Sequence, residues 1–240
     1  MANRPNVAPM KPKHGDTLTH GSHMKRLITV LLLIALCPLQ ACMLYSAEAI
    51  EAWVVDSETN KPIEGVIVVA HWQMYGGLHP DDAGELTILE TVTDKAGRFQ
   101  FPAWGPKFAK ARLAWMDPEI LLFKSGFKYE RIANELIFAA LSDYGPSLRR
   151  SQWNGKTIKM EKFKGTTKEY SGDLSFLNGL LRFVEENCNW KKTPMILIAL
   201  DKQRQIFREN GIDSGIYSLD YFDGLSDKKV RKCGLPVSDV

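Results

Sequence analysis

Short runs of β-branched and aromatic residues, separated by turn-forming residues, constrain the fold of this chain most strongly. Residues 50–56 (IEAWVVD) and 66–72 (VIVVAHW) are two such runs, and the segment between them contains Asn60, Pro62 and Gly65. This pattern predicts two strands in a hairpin-like unit. Further segments of the same character are residues 86–94, 98–104, 120–124, 127–132 and 156–163. Several short strands with turns between them predict a mainly β chain folded as a β-sandwich.

Four sequence elements follow one another in a characteristic order. They are Val-Asp at 55–56, Lys-Pro-Ile-Glu-Gly-Val at 61–66, Thr-Asp-Lys-Ala-Gly-Arg-Phe at 93–99 and Lys-Ser-Gly-Phe at 124–127. In this order they resemble the carboxypeptidase regulatory-like domain, a transthyretin-like, Ig-like β-sandwich. The resemblance covers about residues 48–136, and the strand at 156–163 extends the predicted domain to 48–165. It implies a mostly non-catalytic module. The loop predicted at 105–118 in this chain is longer than in the compact form of the family.

The segment 93–99 is the most specific part of the resemblance, and each of its residues has a physical role. We expect Asp94 to accept backbone N–H groups in the turn, because a short carboxylate can bond to the residues that follow it. Gly97 is expected to adopt a positive φ, and Phe99 to return to the core.

The last third of the chain changes to helical spacing. Residues 173–187 carry leucines three and four positions apart, with Ser171 available as an N-cap. A second helix is predicted to begin at Thr193-Pro194 and to end before Gly211, which suits the C′ position. We therefore expect residues 171–240 to form a C-terminal α-helical hairpin and a tail.

The N-terminal region is typical of an export signal. The basic residues Lys25 and Arg26 precede an apolar run at 27–36 that is too short to span a bilayer, and Leu-Gln-Ala-Cys follows at 39–42. This tetrad resembles the bacterial lipobox, so residues 24–41 are predicted to be a lipoprotein signal peptide and Cys42 the lipidated first residue. Residues 1–23 are polar and are expected to be disordered, as a mis-assigned start or a tag.

A lipid anchor at Cys42 would place the protein on the periplasmic face of the cell envelope. Met43 rather than an aspartate follows the cysteine, which favours the outer membrane. The alternative is plain secretion, with cleavage by the general signal peptidase after residues 47–49 (Ala-Glu-Ala).

The charge balance argues against a nucleic-acid partner. Five of the 31 basic residues and one of the 28 acidic residues precede Cys42, so the exported part carries 26 basic against 27 acidic residues. No stripe of Lys and Arg interleaved with aromatic residues occurs, whereas nucleic-acid binding needs such a basic surface.

Cysteine usage predicts one disulfide. Cys37 would leave with the signal and Cys42 would carry lipid, which leaves Cys188 and Cys233 as a pair in an oxidising compartment. The alternative is two buried free thiols.

Metal and catalytic motifs are sparse after the signal. His71 lies within a strand pattern, which is typical of a hydrogen-bonded, half-buried side chain. His79, Asp81 and Asp82 share a predicted loop and could bind a cation, so a periplasmic enzyme or metal-binding protein using this loop is the alternative function. The zinc carboxypeptidase motif His-x-x-Glu is absent, because Met74 and Asp82 stand at the positions of the glutamate. We predict no catalytic residue, metal or cofactor.

Tryptophans offer candidate contact residues. Trp53, Trp72 and Trp104 lie on predicted strands and are expected in the core or at its margin, whereas Trp115 and Trp153 lie in predicted loops. We therefore predict a non-catalytic binding or scaffold module that contacts an envelope protein or polymer through Trp115 and Trp153.

Overall fold

The structure is a computed structural model that describes residues 43–76, 81–113, 116–135, 148–186 and 188–222. These residues belong to one compact unit. The predicted disordered segment 1–23, the signal peptide 24–41 and Cys42 lie outside the described residues. The predicted domain boundaries therefore remain predictions.

The described part is mainly β with helices near its C-terminal end, as expected for the fold class. The strands are β1 Met43–Ala47, β2 Ile50–Asp56, β3 Ile67–Gly76, β4 Asp81–Val92, β5 Arg98–Phe101, β6 Trp104–Ala109, β7 Arg112–Leu113, β8 Glu119–Phe123, β9 Glu130–Ile132, β10 Leu148–Arg149 and β11 Thr157–Met160. The bounds predicted for β2 are confirmed. In contrast, β6 and β7 occupy the segment that we expected to be a long loop.

Three sheets contain these strands. Their orders are β10-β1-β6, β11-β2-β5 and β4-β3-β8-β9, with β7 also paired to β3. The predicted hairpin of β2 with β3 is wrong, because β5 and β11 occupy the two edges of β2. The connection after β2 instead leads into the third sheet, where β4 and β8 are the neighbours of β3.

The turn between β4 and β5 has the predicted geometry. The Asp94 carboxylate accepts the backbone N–H groups of Ala96 and Arg98, both at 2.9 Å. Gly97 has a φ of +70°, and Phe99 is buried. These roles are confirmed, although the family to which the turn was likened remains a prediction.

Thr93 fixes this turn to the preceding connection. Its buried hydroxyl donates to the carbonyl of Ile63 at 2.7 Å and accepts the N–H of Val66 at 2.8 Å. One side chain thus satisfies two backbone groups of the segment that leads into β3.

Gly105 lets β6 lie against β1. Its φ is +108°, and a Cβ atom built there would lie 2.6 Å from Cα of Ser46 and 2.7 Å from the carbonyl oxygen of Tyr45. The register of β1 with β6 shifts between Tyr45 and Ala47. Only glycine fits this position without displacing the neighbouring backbone.

Two α-helices follow the strands, α1 at Thr167–Leu180 and α2 at Pro194–Glu209, with 3₁₀ turns at Leu181–Glu185 and Asn189–Lys192. The predicted N-cap Ser171 is wrong. Thr166 and Glu169 form a capping box, so α1 begins earlier and Ser171 lies inside it.

The predicted ends of α2 are confirmed. Pro194 occupies the first turn, and Gly211 has a φ of +72° at the C′ position. The N–H groups of Gly211 and Ile212 donate to the carbonyls of Arg208 and Phe207, both at 2.9 Å, which is a Schellman motif. The Thr193 side chain makes no capping bond. Instead, the carboxylate of Glu90 on β4 accepts the N–H groups of Met195 and Ile196.

The β3 strand contributes to two hydrophobic clusters. Val68, Ala70 and Trp72 join residues of β1, β2, β5, β8 and β11 in the first cluster. Val69 joins residues of β4, β8, both α-helices and both 3₁₀ turns in the second. Because successive strand residues point to opposite faces, the sheet that contains β3 is covered on both of its faces.

Candidate functional site

Four charged side chains form a row across the sheet, one from each of four adjacent strands. Glu85 lies on β4, His71 on β3, Glu119 on β8 and Arg131 on β9, which is the order of these strands in the sheet. Nδ1 of His71 lies 3.2 Å from Oε2 of Glu85, and its Nε2 lies 3.3 Å from Oε1 of Glu119. Nη2 of Arg131 lies 2.6 Å from Oε2 of Glu119. We call these four residues the charge row.

Strand register assembles the charge row. His71 pairs directly with Glu119 in the antiparallel ladder of β3 and β8. A register shift after Trp72 sets Glu85 opposite Gln73, two residues beyond His71. Residues two apart on a strand share a face, so the row lies on a single face of the sheet.

Both acidic neighbours of His71 favour its protonated form. Burial alone lowers the pKa of His71, but the hydrogen bonds and negative charges of Glu119 and Glu85 outweigh burial and raise this pKa to about 9. Burial raises the pKa of Glu119, and the bonds from His71 and Arg131 lower it to about 2. At neutral pH the row therefore contains an imidazolium ion between two carboxylates.

The row is closed from solvent around His71 and opens only at its far end. The side chains of His71 and Glu85 are 5% and 1% exposed, whereas that of Arg131 is 53% exposed. The ring of Phe183 stacks on the His71 ring, with centroids 4.3 Å apart. A substrate would have to displace this ring to reach His71.

A second buried ion pair lies near His71. Nη1 of Arg149 lies 3.4 Å from Oδ1 of Asp117, and both side chains are almost fully buried. The Arg149 guanidinium also lies over the ring of Tyr45, 5.1 Å from its centroid. Burial raises the pKa of Asp117 to about 7, although the positive charge of Arg149 opposes this shift.

His71, as a buried cation, is poorly suited to act as a general base or as a metal ligand near neutral pH. A protonated imidazole has no lone pair to accept a proton or to bind a metal ion. Among the described residues, no group of three or more His, Cys, Asp or Glu side chains could hold a metal ion. The charge row is a mostly buried ionic network in which each inner charge lies between charges of the opposite sign.

Sequence reasoning found only part of this site. His71 is hydrogen-bonded as predicted, but it is fully buried rather than half-buried, at 4% exposure. Sequence reasoning missed Glu85, Asp117, Glu119, Arg131 and Arg149. The sequence contains only a weak indication of these residues. Glu119, for example, is an ionisable residue directly beside a run of apolar residues, which is compatible with a buried charge.

The structure describes Trp153 but not Trp115, the other tryptophan predicted to contact a partner. Trp153 is partly buried against the first hydrophobic cluster, and its indole N–H donates to the carbonyl of Ala133 at 3.0 Å. Trp115 lies outside the described residues. Trp72 is fully buried and Trp104 packs at the margin of the cluster, as expected. A binding role for Trp115 and Trp153 remains a prediction.

The predicted cation loop is shorter than expected. Asp81 and Asp82 belong to β4, where their backbones pair with Gly76 and Tyr75, and His79 lies outside the described residues. A cation site at residues 79–82 thus remains a prediction.

Cys188 stands before the second 3₁₀ turn with a φ of +61°, and its sulfur is not a free thiol. Cys233, its predicted partner, lies outside the described residues, so the pairing of Cys188 with Cys233 remains a prediction.

A cavity of about 560 Å³ adjoins the C-terminal end of α2. Arg208, Ser214, Tyr217 and Tyr221 contribute to its lining. The rings of Tyr217 and Tyr221 stack with centroids 4.3 Å apart, and the Ser214 hydroxyl is buried without a hydrogen-bond partner. The volume of this cavity lies within the range of small-molecule pockets in proteins.

Within the described ranges, no helix has both the length and the apolar character needed to cross a membrane.

Comparisons with known proteins identify no family. No family model and no curated protein matches the chain. Among solved structures, the chain is similar to 3-chlorocatechol 1,2-dioxygenase from Rhodococcus opacus 1CP, with 16% identity over 50% of this chain and 61% of that chain, and a TM-score of 0.30. The dioxygenase domain of a dioxygenase carbohydrate-binding protein fusion from Streptomyces sp. SirexAA-E has 15% identity over 52% of this chain and 84% of that chain, with a TM-score of 0.29.

A 9R-lipoxygenase from Cyanothece PCC8801 has 15% identity over 79% of this chain and 29% of that chain, with a TM-score of 0.24. This chain thus matches less than two thirds of the chlorocatechol dioxygenase and of the lipoxygenase. Likenesses this weak carry no argument about the fold or the chemistry of this protein.

Proposed function

We propose that this protein is an exported envelope lipoprotein whose folded part is a non-catalytic binding or scaffold module. Its anchor is the acylated Cys42, and it faces the periplasm from the outer membrane. Its partner is an envelope protein or polymer that contacts the loops of Trp115 and Trp153.

The charge row is the observation that carries this proposal. It contains a histidine and two glutamates, which are residue types common in catalytic sites, and each of its inner charges lies between charges of the opposite sign. A catalytic set needs a group that can exchange a proton with substrate near neutral pH. His71 is instead held as a buried cation, so the row supports a rigid module rather than a reaction centre.

The finer architecture belongs to the same proposal. We place the sheets on either side of the first hydrophobic cluster as the two layers of a transthyretin-like β-sandwich, and α1 and α2 as a helical hairpin beside it. The support is that residues of all three sheets meet in that cluster, while both helices meet the opposite face of β3 in the second.

Metabolic labelling with a radioactive fatty acid tests the anchor. We expect the wild-type protein to be labelled and Cys42→Ala to be unlabelled. Cys37→Ala is the matched control, because it removes a cysteine from the predicted signal and should keep the label. An unlabelled wild-type protein, or a label that persists in Cys42→Ala, would overturn the lipoprotein proposal.

Metal analysis and partner crosslinking test the binding module against the metal-dependent alternative. Protein purified without chelator should contain no stoichiometric metal, and an envelope partner crosslinked to the wild type should be lost in Trp115→Ala. Phe176→Ala is the control, since Phe176 is 64% exposed on α1. Stoichiometric metal that disappears in His79→Ala would favour the alternative function.

A further inference from the structure

The sheet β10-β1-β6 presents large apolar side chains on its outer face. Leu44 on β1 pairs with Phe108 on β6, and Ser46 on β1 pairs with Leu148 on β10. Leu44, Phe108 and Leu148 are 41%, 76% and 36% exposed. We call these three residues the apolar face.

The alternation along β1 shows that this exposure is a property of one side of the sheet. Tyr45 and Ala47 are buried, and Arg149, which pairs with Ala47, is buried as well. The intervening positions point the other way. The outer face of a half-buried sheet normally carries polar side chains, so a set of large apolar residues there indicates a contact surface.

The position of β1 in the chain identifies what this surface contacts. Strand β1 begins at Met43, directly after Cys42. Two residues of extended chain span at most about 7 Å, so Leu44 stays within that distance of the residue that carries the lipid in our proposed function. No linker separates the anchor from the sheet, and an acylated Cys42 would therefore bring the apolar face to the bilayer surface.

The chemistry around Phe108 suits a bilayer interface. Phe108 lies near the end of edge strand β6, and Lys110, two residues further on, is exposed. An aromatic ring can enter the boundary between headgroups and acyl chains, while a lysine side chain extends to the phosphate groups.

We propose that the apolar face formed by Leu44, Phe108 and Leu148 lies on the phospholipid surface and fixes the orientation of the anchored module. This inference rests on the proposed lipid anchor and adds a second membrane contact to it. Such a contact adds to the membrane affinity of the lipid anchor, because the contributions of the two combine. The rest of the module is then held at a defined angle to the membrane.

Site-specific photocrosslinking in intact cells tests this contact. A benzophenone amino acid is placed at Phe108 in the full-length protein, and at Phe176 on α1 as an exposed control. Cells are grown with radioactive phosphate, which labels phospholipid headgroups but not the acyl groups of the anchor. Because both positions are exposed, neither replacement should prevent folding.

We expect light-dependent radioactive phosphate on the protein that is several-fold higher for position 108 than for position 176. Equal labelling at the two positions would overturn the membrane contact. A crosslink from position 108 to a second polypeptide, without phosphate label, would also overturn it and would assign the face to a protein partner or to another copy of this chain. Fatty-acid labelling of the same strains reports the anchor separately, so a labelled anchor with equal crosslinking rejects only this inference.

Discussion

Raising the pH should destabilise this protein through the charge row. The pKa of His71 is raised to about 9 in the folded protein, against an ordinary value of 6.5. A raised pKa means that the folded state binds the proton more tightly than the unfolded state. The resulting stabilisation is therefore complete below pH 6.5 and is lost as the pH rises through 9.

The size of this effect follows from the shift. One pKa unit corresponds to about 1.4 kcal/mol, so the difference between 6.5 and about 9 is worth about 3 kcal/mol of unfolding free energy. Between these two pH values the free energy should fall by about 1.4 kcal/mol per pH unit, because one proton is released on unfolding. Asp117 contributes a fall of the same sign, but its pKa of about 7 confines that contribution to more acidic solution.

Urea denaturation of the wild type at intervals from pH 7.5 to 9.5 measures the slope. In His71→Gln the slope should disappear, and the free energy at pH 7.5 should be lower by about 3–5 kcal/mol because buried carboxylates lose their cation. An unchanged slope in His71→Gln would refute the reasoning. If this variant does not fold, NMR titration of the wild-type ring decides: a His71 midpoint near the ordinary 6.5 would refute it equally.

Three further substitutions test local features of the fold by urea denaturation. Thr93→Val should lower the unfolding free energy by about 2–4 kcal/mol because two buried backbone groups lose their partner, whereas Thr91→Val, near the end of β4, should cost under about 0.5 kcal/mol. Gly105→Ala should lower the unfolding free energy more than Gly126→Ala, since both glycines have a positive φ but only a Cβ at position 105 would clash with backbone. Equal losses in the two variants would contradict the packing argument. Glu90→Gln should lower the unfolding free energy by about 1–2 kcal/mol, because the glutamine amide places a donor group next to the N–H groups of α2. An unchanged stability would show that Glu90 does not cap α2.

Local chemistry explains which elements were predictable from the sequence. The turn at Asp94 and Gly97 depends on side-chain and backbone preferences within a few residues, so its geometry follows directly from the motif. The end of α2 at Gly211 is equally local. By contrast, the leucine spacing placed the start of α1 near Ser171, whereas the capping box of Thr166 and Glu169 starts the helix earlier.

Strand pairing is not local, and the errors in the sequence analysis concentrate there. Proximity along the chain favoured pairing β2 with β3, yet β2 pairs in parallel with β11, about a hundred residues later. The charge row could not be predicted for the same reason, because it depends on the register between strands that are far apart in the sequence. Glu85 and Glu119 meet His71 only because β4 and β8 lie on either side of β3, with a register shift that sets Glu85 opposite Gln73.

A shift of one residue in β4 or in β8 would turn the carboxylate of that strand to the other face of the sheet, among the apolar residues of the first cluster. Such a shift would bury an unpaired negative charge and leave His71 with one carboxylate instead of two, which costs far more than an apolar mismatch. The charge row therefore discriminates against wrong registers of β4 and β8, because only the observed pairing neutralises its charges. This role requires burial and fixed geometry rather than access to a substrate, and it agrees with a module that binds through its surface.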